Sequence, residues 1–201
     1  LTIKQTKAVK ISFSESETSL ILKELLSQLN CNINELLLGS LARALAVFRN
    51  EPNTLIMMEG HGRNDNFVGD LDLSQTVGWF TNAFPFLLEK VDGSFENQVQ
   101  KIRSLYQQLP NHGLGYGILK YITPKNEKVG DLQQFKPMVS FNYLGQYDGV
   151  ENHPFFRSNA NAPDFSNNED SPLLYSLNIN GIIQRSRMEF YFAYHEIEYS
   201  N

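Results

Sequence analysis

Val9, Ile11 and Phe13 alternate on one face of the stretch Ala8 to Phe13, a period of two that predicts a strand. Ser14 and Glu17 follow with capping-box spacing. Each can satisfy a backbone N–H left unpaired at a helix start, so a helix is predicted next. Leu22, Leu25, Leu26 and Leu29 supply its apolar stripe. Asn32 and Glu35 repeat the cap and open a second helix through about Phe48. That helix is apolar almost all round (Leu36, Leu37, Leu38, Leu41, Ala42, Leu45, Ala46), which predicts deep burial.

Leu55 to Met58 reads as a short buried strand running into the charged, glycine-rich turn Glu59-Gly60-His61-Gly62-Arg63. Such turns at strand ends are where α/β proteins often place chemistry. A polar loop from Asn64 to Asp72 precedes Thr76-Val77-Gly78-Trp79-Phe80-Thr81 and a strand from Asn82 to Leu88. Phe95, Val99, Ile102, Leu105 and Tyr106 have helical spacing, and Pro110 ends that helix. Gly113, Gly115 and Gly117 mark a turn before a short helix, Ile118 to Ile122. Strands are predicted at Val139 to Leu144, Leu173 to Asn178 and Met188 to Tyr194, the last two paired with one solvated face. Between them Gln146 to Pro172 is long, polar and structureless, a pattern that suits a functional crossing. Mixed helices and strands around one core give an α/β fold, a two-layer mixed sheet with flanking helices.

The 201 residues suffice for a hydrophobic core, and the net charge of -5 without a basic cluster argues against nucleic acid. No apolar run reaches the roughly 20 residues that cross a bilayer, so no membrane role is expected. The single Cys31 excludes an internal disulfide, and a reducing, cytoplasmic setting is expected. Leu1 in place of an initiator Met, and an end soon after an alternating stretch, suggest a piece of something longer. No His/Asp/Glu cluster has metal-ligand spacing. The Gly113–Gly117 pattern follows a helix and Pro110, not a strand, so a phosphate-binding loop is rejected.

Four segments in order then carry a resemblance: Glu59-Gly-His-Gly-Arg63, Thr76-Val-Gly-Trp-Phe-Thr81, Pro110-Asn-His-Gly-Leu-Gly-Tyr-Gly117 and Phe141-Asn-Tyr-Leu-Gly-Gln146. Together they resemble core motifs of the epimerization domains of nonribosomal peptide synthetases, members of the condensation superfamily. The resemblance covers nearly the whole chain. It departs at Asn64, where the family has an acidic residue, and at Gln75, where it has Arg. The family's upstream His-His-x-x-x-Asp-Gly motif is missing, since His61, His112, His153 and His195 are all solitary. The implied unit, residues 1–201, is therefore the C-terminal lobe of a chloramphenicol-acetyltransferase-like architecture, without the family's last helix. Alone it is expected to be inactive.

The resemblance implies inversion of the alpha carbon of a carrier-bound aminoacyl or peptidyl thioester. The substrate would ride the phosphopantetheine arm of a peptidyl carrier protein, and no cofactor would bind directly. Glu59 would be one of two acid/base groups on opposite sides of the carbon, the other a histidine of the absent N-terminal lobe. Because Glu59 follows an apolar strand, partial desolvation and a raised pKa are expected. Tyr143 would donate a hydrogen bond to developing negative charge, or else sit as an amphipathic residue at a core edge. Asn142, adjacent in the strand, must face the other side unless the strand bulges, and a structural role suits it better. His61 would support Glu59, Gly60 and Gly62 would free the turn, and Arg63 would orient Glu59, pin the following loop or be an ordinary surface arginine. Trp79 and Phe80 are expected in the core or at a lobe interface, flooring the substrate tunnel. An amide-forming condensation-type domain and a non-catalytic carrier-docking lobe are the competing readings.

Overall fold

The computed structural model describes residues 2–63, 72–73, 75–124, 132, 135–147 and 170–199. In chain order they form β1 (Thr6–Ser12), α1 (Glu15–Leu20), α2 (Ile33–Arg49), β2 (Asn53–Gly60), β3 (Asn82–Glu89), α3 (Phe95–Gln107), β4 (Val139–Gln146), β5 (Leu177–Gln184) and β6 (Arg187–His195). Contacts divide the chain into two units, Leu1–Gln28 with Met138–Asn201, and Leu29–Pro137. The greater part of the predicted crossing Gln146 to Pro172, with His153, lies outside the described residues, as do most of the loop 64–72 and Asn64.

In the discontinuous unit the strands stand in the order β1-β6-β5-β4. β1 and β5 flank β6 antiparallel, while β4 runs parallel to β5, so the sheet is mixed as expected. The capping box at α1 is present: Ser14 Oγ accepts from the Glu17 N–H, and the Glu17 carboxylate accepts from the Ser14 N–H. Thr18, one turn on, is buried, and its hydroxyl accepts from the Met188 backbone N–H at 2.9 Å, joining the helix to β6. The helix continues as a π turn from Ile21 to Leu25.

The strand expected at Leu173 to Asn178 starts only at Leu177 and runs on to Gln184, and Leu174 is 79% exposed. The true alternation is Ile179, Gly181, Ile183, and the glycine hides it from a hydrophobic count. On the opposite face of β6, the buried Glu189 carboxylate takes hydrogen bonds from Lys10 and Tyr191 and from the Gln184 amide, at 2.7–2.9 Å. It thereby ties edge strand β1 to the sheet. The Lys10 bond, aided by Gln184 and Tyr191, holds the Glu189 carboxyl down at about 2 from its usual 4.5.

Since this folded-state pKa lies below the unfolded one, the carboxylate's stabilisation is full above pH 4.5 and is lost as pH falls through about 2. Denaturant midpoints measured across that window should therefore decline towards acid. In Glu189→Gln the decline should be shallower.

In the second unit Asn32 and Glu35 form the predicted capping box, opening α2. Glu35 also receives Arg103 of α3 at 3.0–3.2 Å, so one carboxylate caps α2 and docks α3. Gly39 faces α3, where a β-carbon would make ordinary van der Waals contact with Gln98, Val99 and Phe95 at 3.6–3.7 Å. The fully buried Gln98 amide bonds the Glu89 carbonyl and the Val91 N–H, securing α3 to the end of β3. α2 is not buried all round: Val47 and Phe48 are 80% and 64% exposed, because only one face of its last turn meets the core.

β2 and β3 pair antiparallel from Asn53↔Glu89 to Gly60↔Asn82. Ile56, Met57 and Met58 are buried, as are Phe84, Phe86 and Leu88 opposite. Each fully buried aliphatic or aromatic side chain of this kind contributes about 1.5–3 kcal/mol. The core thus extends to within one residue of Glu59.

Candidate active site

β2 runs two residues further than expected, so Glu59 stands within the strand, opposite Ala83, and Gly60 ends it. Met58 is 4% exposed, whereas Glu59 is exposed. The strand carries the carboxylate out past the apolar core, so the desolvation expected of Glu59 is not provided within this unit. A carboxylate in that position is accessible for proton exchange and held on a rigid element.

The turn that follows is built by short-range contacts. His61 Nδ1 accepts from the Arg63 backbone N–H at 3.0 Å, so His61 closes the turn. Gly62 has a φ of +66°, and a β-carbon there would fall 1.7 Å from the Phe80 carbonyl oxygen. Gly60 lies in extended strand; what it needs is space, with Asn82 Oδ1 2.7 Å from where its β-carbon would be. Of the two glycines only Gly62 needs its conformational freedom.

Arg63 reaches the Thr76–Thr81 segment. Its guanidinium donates to the carbonyls of Leu73 (2.6 Å), Thr76 (2.8 Å) and Gly78 (3.3 Å). The same group lies 4.3 Å from the centroid of the Phe80 ring, a cation–π contact. A planar fork with five donors can serve three carbonyls at once, which a lysine ammonium cannot match in geometry. Held this way, the segment presents Val77 and Trp79 outward, 99% and 88% exposed. Of the two places expected for Trp79, its exposure excludes the core of this unit: the backbone anchors turn inward, and the indole is left outside. Phe80 is the aromatic that packs.

Trp79 is the chain's only tryptophan, so its emission reports on this loop alone. Arg63→Lys should lower Trp79 fluorescence anisotropy and speed proteolysis within residues 72–80. Unchanged anisotropy would remove the pinning role.

The third motif meets the same place. Asn111, His112 and Gly113 form a left-handed run, with φ of 47°, 50° and 82°. Gly113 lies against the Phe84 ring, and the His112 carbonyl accepts from Asn82 Nδ2 at 3.3 Å. Asn82 was not singled out from the sequence. Its place beside the Thr76–Thr81 segment is the only sequence signal, and it is a weak one. Three of the four motifs thereby gather around the junction of β2 and β3.

The fourth belongs to the other unit. Asn142 pairs with Asn180 and Tyr143 with Gly181, and the register shifts between Tyr143 and Gln146, where Gly145 has a φ of +90°. The bulge comes after the two residues, so they keep opposite faces. Burial raises the half-buried Tyr143 phenol above its usual 10, leaving it a hydrogen-bond donor at neutral pH.

Residues 2–201 match the condensation-domain family model. Bacitracin synthase 2 of Bacillus licheniformis is 35% identical over 196 residues, covering 97% of this chain and 7% of that protein. The chain thus spans a small fraction of this curated relative. The epimerization domain from the third module of tyrocidine synthetase B superposes with a TM-score of 0.82 at 24% identity, over 98% of this chain and 44% of that one. The first condensation domain of the CDA synthetase superposes at 0.58 and 15% identity, over 94% and 39%. The expected architecture is the one found, and the chain belongs to the condensation-domain family.

Proposed function

We propose that this chain is the C-terminal lobe of an epimerase that inverts the alpha carbon of a carrier-bound aminoacyl or peptidyl thioester, L to D. The observation that carries the reading is Glu59, set at the exposed end of a buried strand beside a loop fixed by Arg63. A base that removes a proton from carbon needs an accessible carboxylate on a rigid support. Glu59 takes or returns the proton on one side. A histidine of the N-terminal lobe serves the other side, because a single group would have to cross the plane of the carbanion. Tyr143, protonated at neutral pH, donates to the enolate-like oxygen as charge develops. Asn142 stays a strand residue, and the Trp79–Phe80 segment borders the path of the substrate arm.

The partners in this reading are the N-terminal lobe and a peptidyl carrier protein whose phosphopantetheine arm delivers the thioester. The complete domain should be given a loaded carrier, with and without an acceptor amine, and the products resolved by chirality. D-configured thioester in both reactions supports the proposal. Amide formed only when the amine is present would make the domain an amide-forming one.

A further inference from the structure

Gly181 lies mid-strand in β5, in register with Tyr143 on one side and Phe190 on the other. A glycine inside a buried strand costs roughly 0.5–1 kcal/mol relative to alanine, and its usual reason is close approach by a neighbour. Here two neighbours approach. A β-carbon at this position would lie 2.6 and 3.0 Å from Phe190 Cε1 and Cδ1, and 3.3 Å from Tyr143 Cδ2. Phe190 also packs on two further aromatics, edge-on to Phe13 at 6.3 Å between centroids and tilted against Phe192 at 6.4 Å. A methyl group on strand β5 would therefore press on both the Phe190 and the Tyr143 rings.

We propose that Gly181 is a positioning residue for Tyr143: the notch above its bare backbone seats the tyrosine ring and so fixes where the phenol points. The ring rests on the notch near its base, so a small tilt there is amplified at the hydroxyl. A misplacement of about 1 Å can cost roughly a hundredfold in rate. The raised pKa of the phenol accords with a ring tucked against the sheet. This inference rests on the reading of Tyr143 given under the proposed function.

The test compares Gly181→Ala, Phe190→Leu, the double variant and Tyr143→Phe in the complete domain. Two quantities are followed: epimerization kinetics, and the titration of the Tyr143 phenol by carbon NMR, its signal identified by loss in Tyr143→Phe. Gly181→Ala should lower kcat about tenfold or more, leave KM for the carrier within about twofold, and shift the phenol titration towards its ordinary value. Phe190→Leu in that background frees space for the methyl and should restore most of both. Phe190→Leu alone widens the notch and should also move the titration, which keeps the proposal testable if Gly181→Ala does not fold. Titration and kcat unchanged in folded Gly181→Ala, or activity lost only with the folded fraction, would overturn it. If Tyr143→Phe epimerizes normally, the catalytic reading of Tyr143 fails instead, and the titration alone decides whether Gly181 positions the ring.

Discussion

Glu59→Gln in the complete domain is expected to slow epimerization of a loaded carrier by about 10²–10⁴-fold, the range of a lost general acid/base. The substitution preserves size and hydrogen-bonding shape but removes the group that exchanges the proton. Glu59 is exposed and stands where the buried part of β2 ends, so stability should change by no more than about 0.5 kcal/mol. A large rate loss with an unchanged unfolding midpoint would thus be a chemical effect. Carrier binding should also persist, since the carboxylate is assigned to the proton transfer. Undiminished epimerization by this variant would sink the assignment.

The second large effect is expected at Gly62. Alanine there must adopt a left-handed backbone, at about 1–2 kcal/mol, and its methyl would collide with the Phe80 carbonyl. Neither can be relieved by a side-chain rotation, so the loop held by Arg63 has to shift. Epimerization should fall by roughly a hundredfold, and Trp79 emission should change with it. Gly60→Ala provides the contrast. Its methyl meets the end of the Asn82 side chain, which can rotate away, so the loss should be much smaller. Equal effects at both glycines would refute this account of the turn.

Local signals were the legible part of this fold. Ser14–Glu17 and Asn32–Glu35 each close their capping boxes within one helical turn, and both helices start where those pairs put them. The failures are places where distant contacts decide. β5 was displaced because Gly181 breaks the alternation that Ile179 and Ile183 continue, and the reason for that glycine lies in Tyr143 and Phe190 on other strands. For Trp79 the sequence left core and lobe interface open. Its exposure follows from the Arg63 bonds to backbone carbonyls, which no side-chain pattern records.

The candidate site divides in the same way. Glu59, Arg63 and Tyr143 were identifiable as residues, because the ordered motifs resemble one family. What each does depends on geometry. The burial expected for Glu59 was inferred from the apolar run before it, yet the strand carries it one residue beyond the core. Arg63 had several possible roles, and only the structure shows its bonds to the carbonyls of Leu73, Thr76 and Gly78.

Hydrogen exchange at the reacting carbon is the most direct test of the central claim. The complete domain, supplied with an L-aminoacyl or L-peptidyl carrier in D₂O, should place solvent deuterium on the alpha carbon as D-configured thioester accumulates, and Glu59→Gln should suppress both together. A thioester that keeps its alpha proton and its L configuration, while an added amine is converted to amide, would contradict it.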